Sequence, residues 1–187
     1  MAKTIRYPVV LKVESAEITH KTEAGAVRMN IQNESELRRC YGEILRNVQA
    51  HDASAVIDGI LVQEMVTGDR EVIVGMTRDP QFGPVIVVGI GGIFVEVIKD
   101  IAMRIAPLTK SDALDMIGEL KGYRMLKGVR GQAESDIDAL AEILCRFSRL
   151  AIDLADEIAE VDINPLMVFE KGKGAVALDC LMTKVSA

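Results

Sequence analysis

The chain reads as an α+β protein built on mixed or antiparallel sheets. Three observations carry that reading. Strand-like and helix-like segments alternate without a strict strand–helix–strand rhythm, several strands follow one another across tight turns, and 49% of the 187 residues are apolar, enough for a sizeable core. A doubly wound parallel sheet needs a crossover, usually a helix, between successive strands, and the sequence does not supply them.

The first element is "YPVVLKVES", a β-branched run opened by Pro8, which suits a buried strand. A polar loop, "AEITHKTEAG", leads to a partner strand in "AVRMNIQ". Asn33 then caps a helix through "ESELRRCYGEILRNVQA", with Glu36 answering at the third helical position and Leu37, Tyr41, Ile44, Leu45 and Val48 as its apolar stripe. "GILVQEMV" and "REVIVGMTRD" are two strands joined by "TGD", "GPVIVVGI" is a third after the turn "DPQFG", and "DIAMRIAPL" is a fourth. Thr109 with Asp112 opens a short helix to about Leu120. Ser135 with Asp138 opens a longer one, with Ile137, Leu140, Ala141, Leu144, Ser148 and Ala151 on one face. Between the two helices, "KGYRMLKGVRGQAES" reads as a long surface loop. The chain closes on a hairpin in which residues 161–169 fold back against 175–181 across the Gly/Lys turn 170–174.

Composition removes several function classes. A net charge of -6 without a dense basic tract argues against nucleic acid as a partner, since that affinity rests on neutralising phosphates. Aromatics are 4% with no tryptophan, so base or sugar stacking has few platforms. Cys40, Cys145 and Cys180 lie far apart with no CxxC spacing, which suggests neither zinc nor a disulfide framework and fits a reducing cytoplasm. The longest apolar run, "GPVIVVGIGGIFVEVI", contains four glycines and Glu96, and "MAKTIRYP" has no signal core; no membrane association is expected.

Four stretches can carry chemistry. Lys12 stands inside "VVLKV", where an ammonium either meets an anion or snorkels to the surface of a half-exposed strand. The loop "THKTEAGAV" offers His20, Lys21, Thr22 and Gly25, cationic groups and backbone donors suited to a phosphate, against the plainer reading of a solvated polar loop. His20 carries an imidazole, a side chain suited to a phosphoryl acceptor or an acid and base, whereas His51, beside Asp52 at a helix end, reads as a surface residue. Gly89, Gly91 and Gly92 follow a strand directly, in neither the Walker nor the GxGxxG spacing, so close backbone approach to a ligand and a tight turn remain equal readings. In "DINP…ALD", Asp162, Asn164 and Asp179 are hard oxygen donors that converge if the hairpin forms; they suit Mg2+ rather than zinc, or else satisfy local turns around Pro165.

Taken in order, "YPVVLKVESAEITHKTEAGAV", "GILVQEMVTGDREVIVGMTRDPQFGPVIVVGIGGIFVEVIKDIAMRIAPLT" and "EVDINPLMVFEKGKGAVALD" closely resemble the ATP-grasp domain of ADP-forming acyl-CoA synthetases, also called NDP-forming acetate–CoA ligases, over nearly the full chain. The succinyl-CoA synthetase beta subunit is similar more distantly. The resemblance implies two α+β lobes flanked by helices, here 1–66 and 67–187, clasping ATP or ADP with Mg2+. It implies Lys12 on the α/β phosphates, with Lys21 and Gly25 in the phosphate loop and Gly91 and Gly92 near the nucleotide. It further implies Glu64, Met65 and Val66 at the adenine and Glu71 at the ribose. Asn164 and Asp179 would hold the metal, Asp162 would orient the reacting phosphohistidine, and Arg104 would meet the transferring phosphoryl group.

The implied reaction is acyl-CoA + ADP + phosphate giving acid + CoA + ATP through a phosphohistidine. The main histidine, the acid and CoA belong to a CoA-binding partner subunit or domain; His20 matches a histidine on the nucleotide side. Two departures go with this. The family carries a helix–turn segment ahead of "YPVVLKV", so the N-terminal lobe is expected to be incomplete. It also carries two adjacent glycines where this chain has Gly25 and Ala26, and the added methyl is expected to hinder backbone approach to phosphate. The competing reading is a non-catalytic ATP-grasp-like scaffold or regulatory module, as in related protein acetyltransferases.

Overall fold

Two hydrophobic cores organise the chain into two compact units, Met1–Thr67 and Gly68–Ala187, in a computed structural model that describes residues 2–18, 20–68, 70–92, 99–129 and 131–185. The first unit contains α1 (Ala2–Ile5), β1 (Val9–Glu14), β2 (Val27–Ile31), α2 (Glu34–His51) and β3 (Gly59–Glu64). Its β-branched strand β1 lies in the middle of an antiparallel sheet of order β2-β1-β3. Val9, Leu11 and Val13 alternate onto the face that packs with Ile31 and with Cys40, Ile44 and Val48 of α2.

Helix α2 starts where expected, because Asn33 Oδ1 accepts the Glu36 N–H at 3.0 Å. Glu36 reaches one residue further back than a capping box requires and accepts the Gln32 N–H at 2.9 Å. The buried stripe is narrower than the expected one. Cys40, Ile44 and Val48, four residues apart, meet a sheet only three strands wide, and Tyr41 is left 47% exposed.

The second unit contains β4 (Arg70–Asp79), β5 (Gly83–Ile90), β6 (Ile101–Ile105), α3 (Lys110–Glu119), α4 (Tyr123–Leu126), α5 (Ile137–Asp153), β7 (Ile158–Val168), β8 (Ala175–Ala177) and β9 (Cys180–Lys184). The sheet order is β6-β5-β4-β7-β8, with β9 continuing along β7 beyond β8. Every described pairing in both sheets is antiparallel. Strands β3 and β4 fall in different sheets, so "TGD" closes no hairpin; residue 69 itself lies outside the described residues.

Helices α3 and α5 cover one face of this sheet. Ala113, Met116, Ile117, Leu140, Ala141 and Leu144 pack with Val72, Val74, Met76, Ile86, Val88 and Val161. The expected Thr109–Asp112 capping box forms on α3. The cap of α5 is Asp136 rather than Ser135: Asp136 accepts the Ala139 N–H at 3.2 Å, while Ser135 is buried and bridges to Glu170. The stretch read as a long surface loop contains α4, whose Leu126 is 1% exposed, and Arg70 fastens it by donating from Nε to the Met125 carbonyl at 2.7 Å. Residue 130 of that stretch lies outside the described residues, as do 19 in the polar loop and 93–98, with Glu96, in the long apolar run. Among the described residues no helix is long and apolar enough to cross a membrane.

Candidate functional site

The closing hairpin forms, with its second arm broken into β8 and β9. Leu166 pairs with Ala177 and Ile163 with Cys180, so counting inward from both pairs puts Asn164 opposite Asp179 and Pro165 opposite Leu178. The Asn164 N–H donates to the Asp179 carbonyl at 3.2 Å and the Leu178 N–H to the Pro165 carbonyl at 2.9 Å. Pro165 has no N–H to return, which interrupts the ladder at this point.

On its other edge β7 is bulged at the same place. Val72 pairs with Leu166 and Val74 with Ile163, leaving Asn164 and Pro165 together against Ile73 of β4. The bulge lets Val161 and Ile163 before it, and Leu166 and Val168 after it, all pack with the helix-covered core. Asp162 and Asn164 are thereby turned to the opposite face of the sheet.

That face carries a run of acidic groups. Glu160 and Asp162 alternate along β7, and Gly75, across from Asp162 on β4, has no side chain to offer it. Burial pushes the half-buried Asp162 carboxyl above its ordinary value, and Glu160 and Asp179 push it the same way. Carboxylates gathered around Asp162, beside an amide oxygen, suit a hard divalent cation that keeps its remaining positions for water or phosphate. Among the described residues no group of three or more His, Cys, Asp or Glu side chains is arranged to hold a metal by itself. Glu160 was not anticipated, although "EVDIN" places Glu160, Asp162 and Asn164 at the strand period of two.

Glu71 lies on this same face of β4, two residues from Ile73 and so diagonal to the bulge, about 7–8 Å away between backbones. Gly91 packs directly on it. The Gly91 N–H donates to the Glu71 carbonyl at 2.7 Å, and a Cβ on Gly91 would lie 2.8 Å from the Glu71 Cβ and 2.9 Å from its backbone. Gly92 follows with φ +66, and a Cβ there would lie 4.0 Å from Glu71 Oε2. Glu71, Gly91 and Gly92 are thus brought together.

Arg104 is not brought to the hairpin. Arg104 aligns with Ile86, Met76 and Val161, the helix-covered face, whereas Asp162 aligns with Gly75, Val87 and Met103 on the other. Its guanidinium pairs with Glu119 of α3, which raises its pKa. Three strand spacings, about 14 Å, separate the two rows' ends.

In the first unit, Lys12 is 7% exposed on the face of β1 opposite Val9, Leu11 and Val13, flanked by Val27 and Leu61. The adjoining Val13 N–H donates to the Ala26 carbonyl at 3.0 Å, which ties the candidate phosphate loop to the lysine strand. His20 is exposed and Lys21 half-buried at the start of that loop's turn. Gly25 adopts φ +62, and its carbonyl accepts from Asn47 Nδ2 at 3.1 Å. Ala26 is 0% exposed and packs in the core, so its methyl points away from the loop's exposed side, contrary to the expected hindrance. Glu64 ends β3 exposed; Met65 and Val66 follow half-buried, and the Met65 N–H donates to the Pro8 carbonyl at 3.3 Å.

Residues 1–183 match a family described as the ATP-grasp domain. The ADP-forming acetate–CoA ligase I of Archaeoglobus fulgidus is 49% identical over 176 residues, 94% of this chain and 25% of that protein. The beta subunit of the ADP-forming acetate–CoA ligase I of Pyrococcus furiosus is 47% identical over 178 residues, 95% of this chain and 75% of that subunit. The chain therefore spans a quarter of the one relative and three quarters of the other. A beta subunit implies a separate partner subunit in that ligase. The dinucleotide forming acetyl-coenzyme A synthetase 1 of Ca. Korarchaeum cryptofilum, in complex with coenzyme A, Ca-AMPCP and HgCl+, superposes with a TM-score of 0.93 at 41% identity, over 98% of this chain and 79% of that one. A second structure of that synthetase, with coenzyme A and Mg-AMPPCP, has its phosphohistidine segment pointing towards the nucleotide binding site; it superposes with a TM-score of 0.82 at 38% identity, again over 98% and 79%.

Proposed function

The chain belongs to the ATP-grasp domain family, and from that premise we propose that it is the nucleotide-binding and phosphoryl-transfer portion of an ADP-forming acyl-CoA synthetase. The observation that carries this reading is the register of the closing hairpin, which sets Asn164 opposite Asp179 beside the acidic pair Glu160 and Asp162. Asn164 and Asp179 hold Mg2+, and Asp162 orients the reacting phosphohistidine. Mg2+ held there would supply neutralisation of the phosphate charge.

Lys12, buried in its strand, meets the α/β phosphates; Lys21 and the Gly25 turn complete the phosphate side. Glu64 and the backbone at Met65 and Val66 face the adenine. Glu71, with Gly91 and Gly92 packed against it, takes the ribose hydroxyls. His20, exposed at the loop, accepts the phosphoryl group on the nucleotide side. Arg104 has no part in this assignment, because its Glu119 partner and its face of the sheet direct it elsewhere.

The overall reaction is acyl-CoA + ADP + phosphate giving acid + CoA + ATP. The acid, CoA and the main phosphohistidine lie on a partner subunit or domain, as the named beta subunit of the Pyrococcus relative and the phosphohistidine segment of the Korarchaeum synthetase support. Three free cysteines support a cytoplasmic setting.

The test is calorimetric titration of wild type and Asp179→Asn with ATP, in Mg2+ and in EDTA. The variant removes one charge at nearly constant shape, so Mg-ATP affinity is expected to fall about tenfold or more, with the affinity in EDTA little changed. Equal Mg-ATP affinities would return the hairpin to a turn and favour the non-catalytic scaffold. The purified chain alone is expected to form no acyl-CoA, and steady turnover by it would remove the need for a partner.

A further inference from the structure

The second arm of the hairpin does not hold its own register. Strand β8 is three residues long and at best half-buried, and all five residues of β9 are exposed. A hydrophobic pattern fixes strand register only where one face is buried, so the register here has to come from the turn.

A buried carboxylate binds that turn, beside backbone bonds from the Lys171 N–H to the Glu134 carbonyl at 2.8 Å and from the Phe169 N–H to the Gly174 carbonyl at 3.0 Å. Asp136 is 7% exposed, and its Oδ2 accepts the N–H groups of Gly172 and Gly174, each at 2.9 Å. Both glycines are left-handed, φ +82 and +78, a conformation other residues rarely adopt. Its other oxygen, Oδ1, accepts the Ala139 N–H at 3.2 Å as the cap of α5, and its own N–H donates to the Phe169 carbonyl at 2.8 Å. The carboxylate is therefore fixed to a helix that packs in the core and to both sides of the turn.

We infer that Asp136 is a positioning residue for the metal-binding hairpin: by clamping Gly172 and Gly174 it sets the register that places Asp179 opposite Asn164. The inference rests on the reading of those two residues as metal ligands. The clamp acts from about 17 Å along the strand, five residues before Asp179. A slip of one residue there would move Asp179 off Asn164 and turn its side chain to the other face.

Asp136→Ala removes both the cap and the clamp and risks unfolding α5. Asp136→Asn leaves one acceptor oxygen in place of two: with that oxygen kept at the cap, an amide N–H faces the glycines, and the α5 amides report whether the cap is kept. The first measurement is amide hydrogen exchange by NMR on the full, nucleotide-free chain. In Asp136→Asn the Asn164 and Leu178 amides, which bond across the hairpin, are expected to exchange about tenfold faster while the α5 amides of Leu144 and Phe147 keep their protection. Unchanged protection at Asn164 and Leu178, or equal acceleration throughout α5, overturns the clamp.

The second measurement is titration with ATP in Mg2+ and in EDTA. The Mg2+-dependent gain in affinity is expected to shrink about tenfold in Asp136→Asn, with the affinity in EDTA unchanged. A variant that keeps the wild-type gain overturns the inference alone. A wild type with no Mg2+-dependent gain overturns the ligand assignment instead, and the exchange data still decide whether Asp136 sets the register.

Discussion

Lys12 shows most directly how a single residue links sequence to site. It stands 7% exposed in the central strand of a sheet, where desolvating an ammonium costs several kcal/mol unless it is compensated. That burial weighs against the snorkelling reading. Replacing it with methionine keeps the stem and removes the charge, and urea unfolding of Lys12→Met reads what the charge contributes to the fold. Nucleotide affinity is expected to fall about tenfold or more in both Mg2+ and EDTA, because the lost contact is to phosphate and not to metal. Paired urea and calorimetric titrations check this; a Lys12→Met protein that binds ATP as wild type does would assign Lys12 to the fold alone. The hairpin residues were legible because a proline inside a strand announces an irregularity. The placement of Arg104 was hidden for the opposite reason. In "DIAMRIAPL" the bulky Ile101, Met103 and Ile105 are 42%, 53% and 50% exposed, and the small Ala102 and charged Arg104 take the helix-covered face, so hydrophobicity there points to the wrong side of the sheet.

At the scale of elements, strands with strong β-branched runs and the Thr109–Asp112 box were legible, since each is specified by residues close in sequence. The break of the hairpin's second arm into β8 and β9 and the part Asp136 plays at its turn were not, because Asp136 binds glycines thirty-six and thirty-eight positions away and no local pattern records such a pair. That clamp has a pH signature. The Gly174 N–H, followed by those of Ala139 and Gly172 and by the charge of Lys171, holds the Asp136 carboxyl below its ordinary value. Its contribution is therefore complete above the unfolded pKa, near 3.9, and is lost as pH falls below about 4 toward the folded value. Glu134 and Glu170 beside the turn are lowered too, by Lys127 and Lys173, but both pairs are solvent-exposed and screened. Urea unfolding of wild type and Asp136→Asn is expected to show a stability difference at pH 7 that shrinks between pH 5 and pH 3. A difference that stays constant across that range would mean the carboxylate is not ionised in the clamp.

At the scale of the molecule, the two units differ in what they bury. Among the described residues the core of Gly68–Ala187 contains 23 buried hydrophobic side chains, drawn from one face of a broad antiparallel sheet, from three helices and from the segments flanking α3. That of Met1–Thr67 contains ten, from a three-stranded sheet, one long helix and the loop between β1 and β2. Chains below about 70–80 residues seldom gain more than 3–5 kcal/mol from a single core, and backbone ordering costs about 1–2 kcal/mol per residue. The larger unit is long enough to bury a greater share of its surface. Residues 68–187 expressed alone are therefore expected to unfold cooperatively on heating, with the far-ultraviolet circular dichroism of a sheet covered by helices. Residues 1–67 alone are expected to melt broadly and at lower temperature, if they hold structure at all. Equal, sharp transitions for the two fragments would show that the smaller core suffices by itself. A featureless spectrum for residues 68–187 would show that the larger core is not self-sufficient, and that the closing hairpin owes its register to more than the unit that contains it.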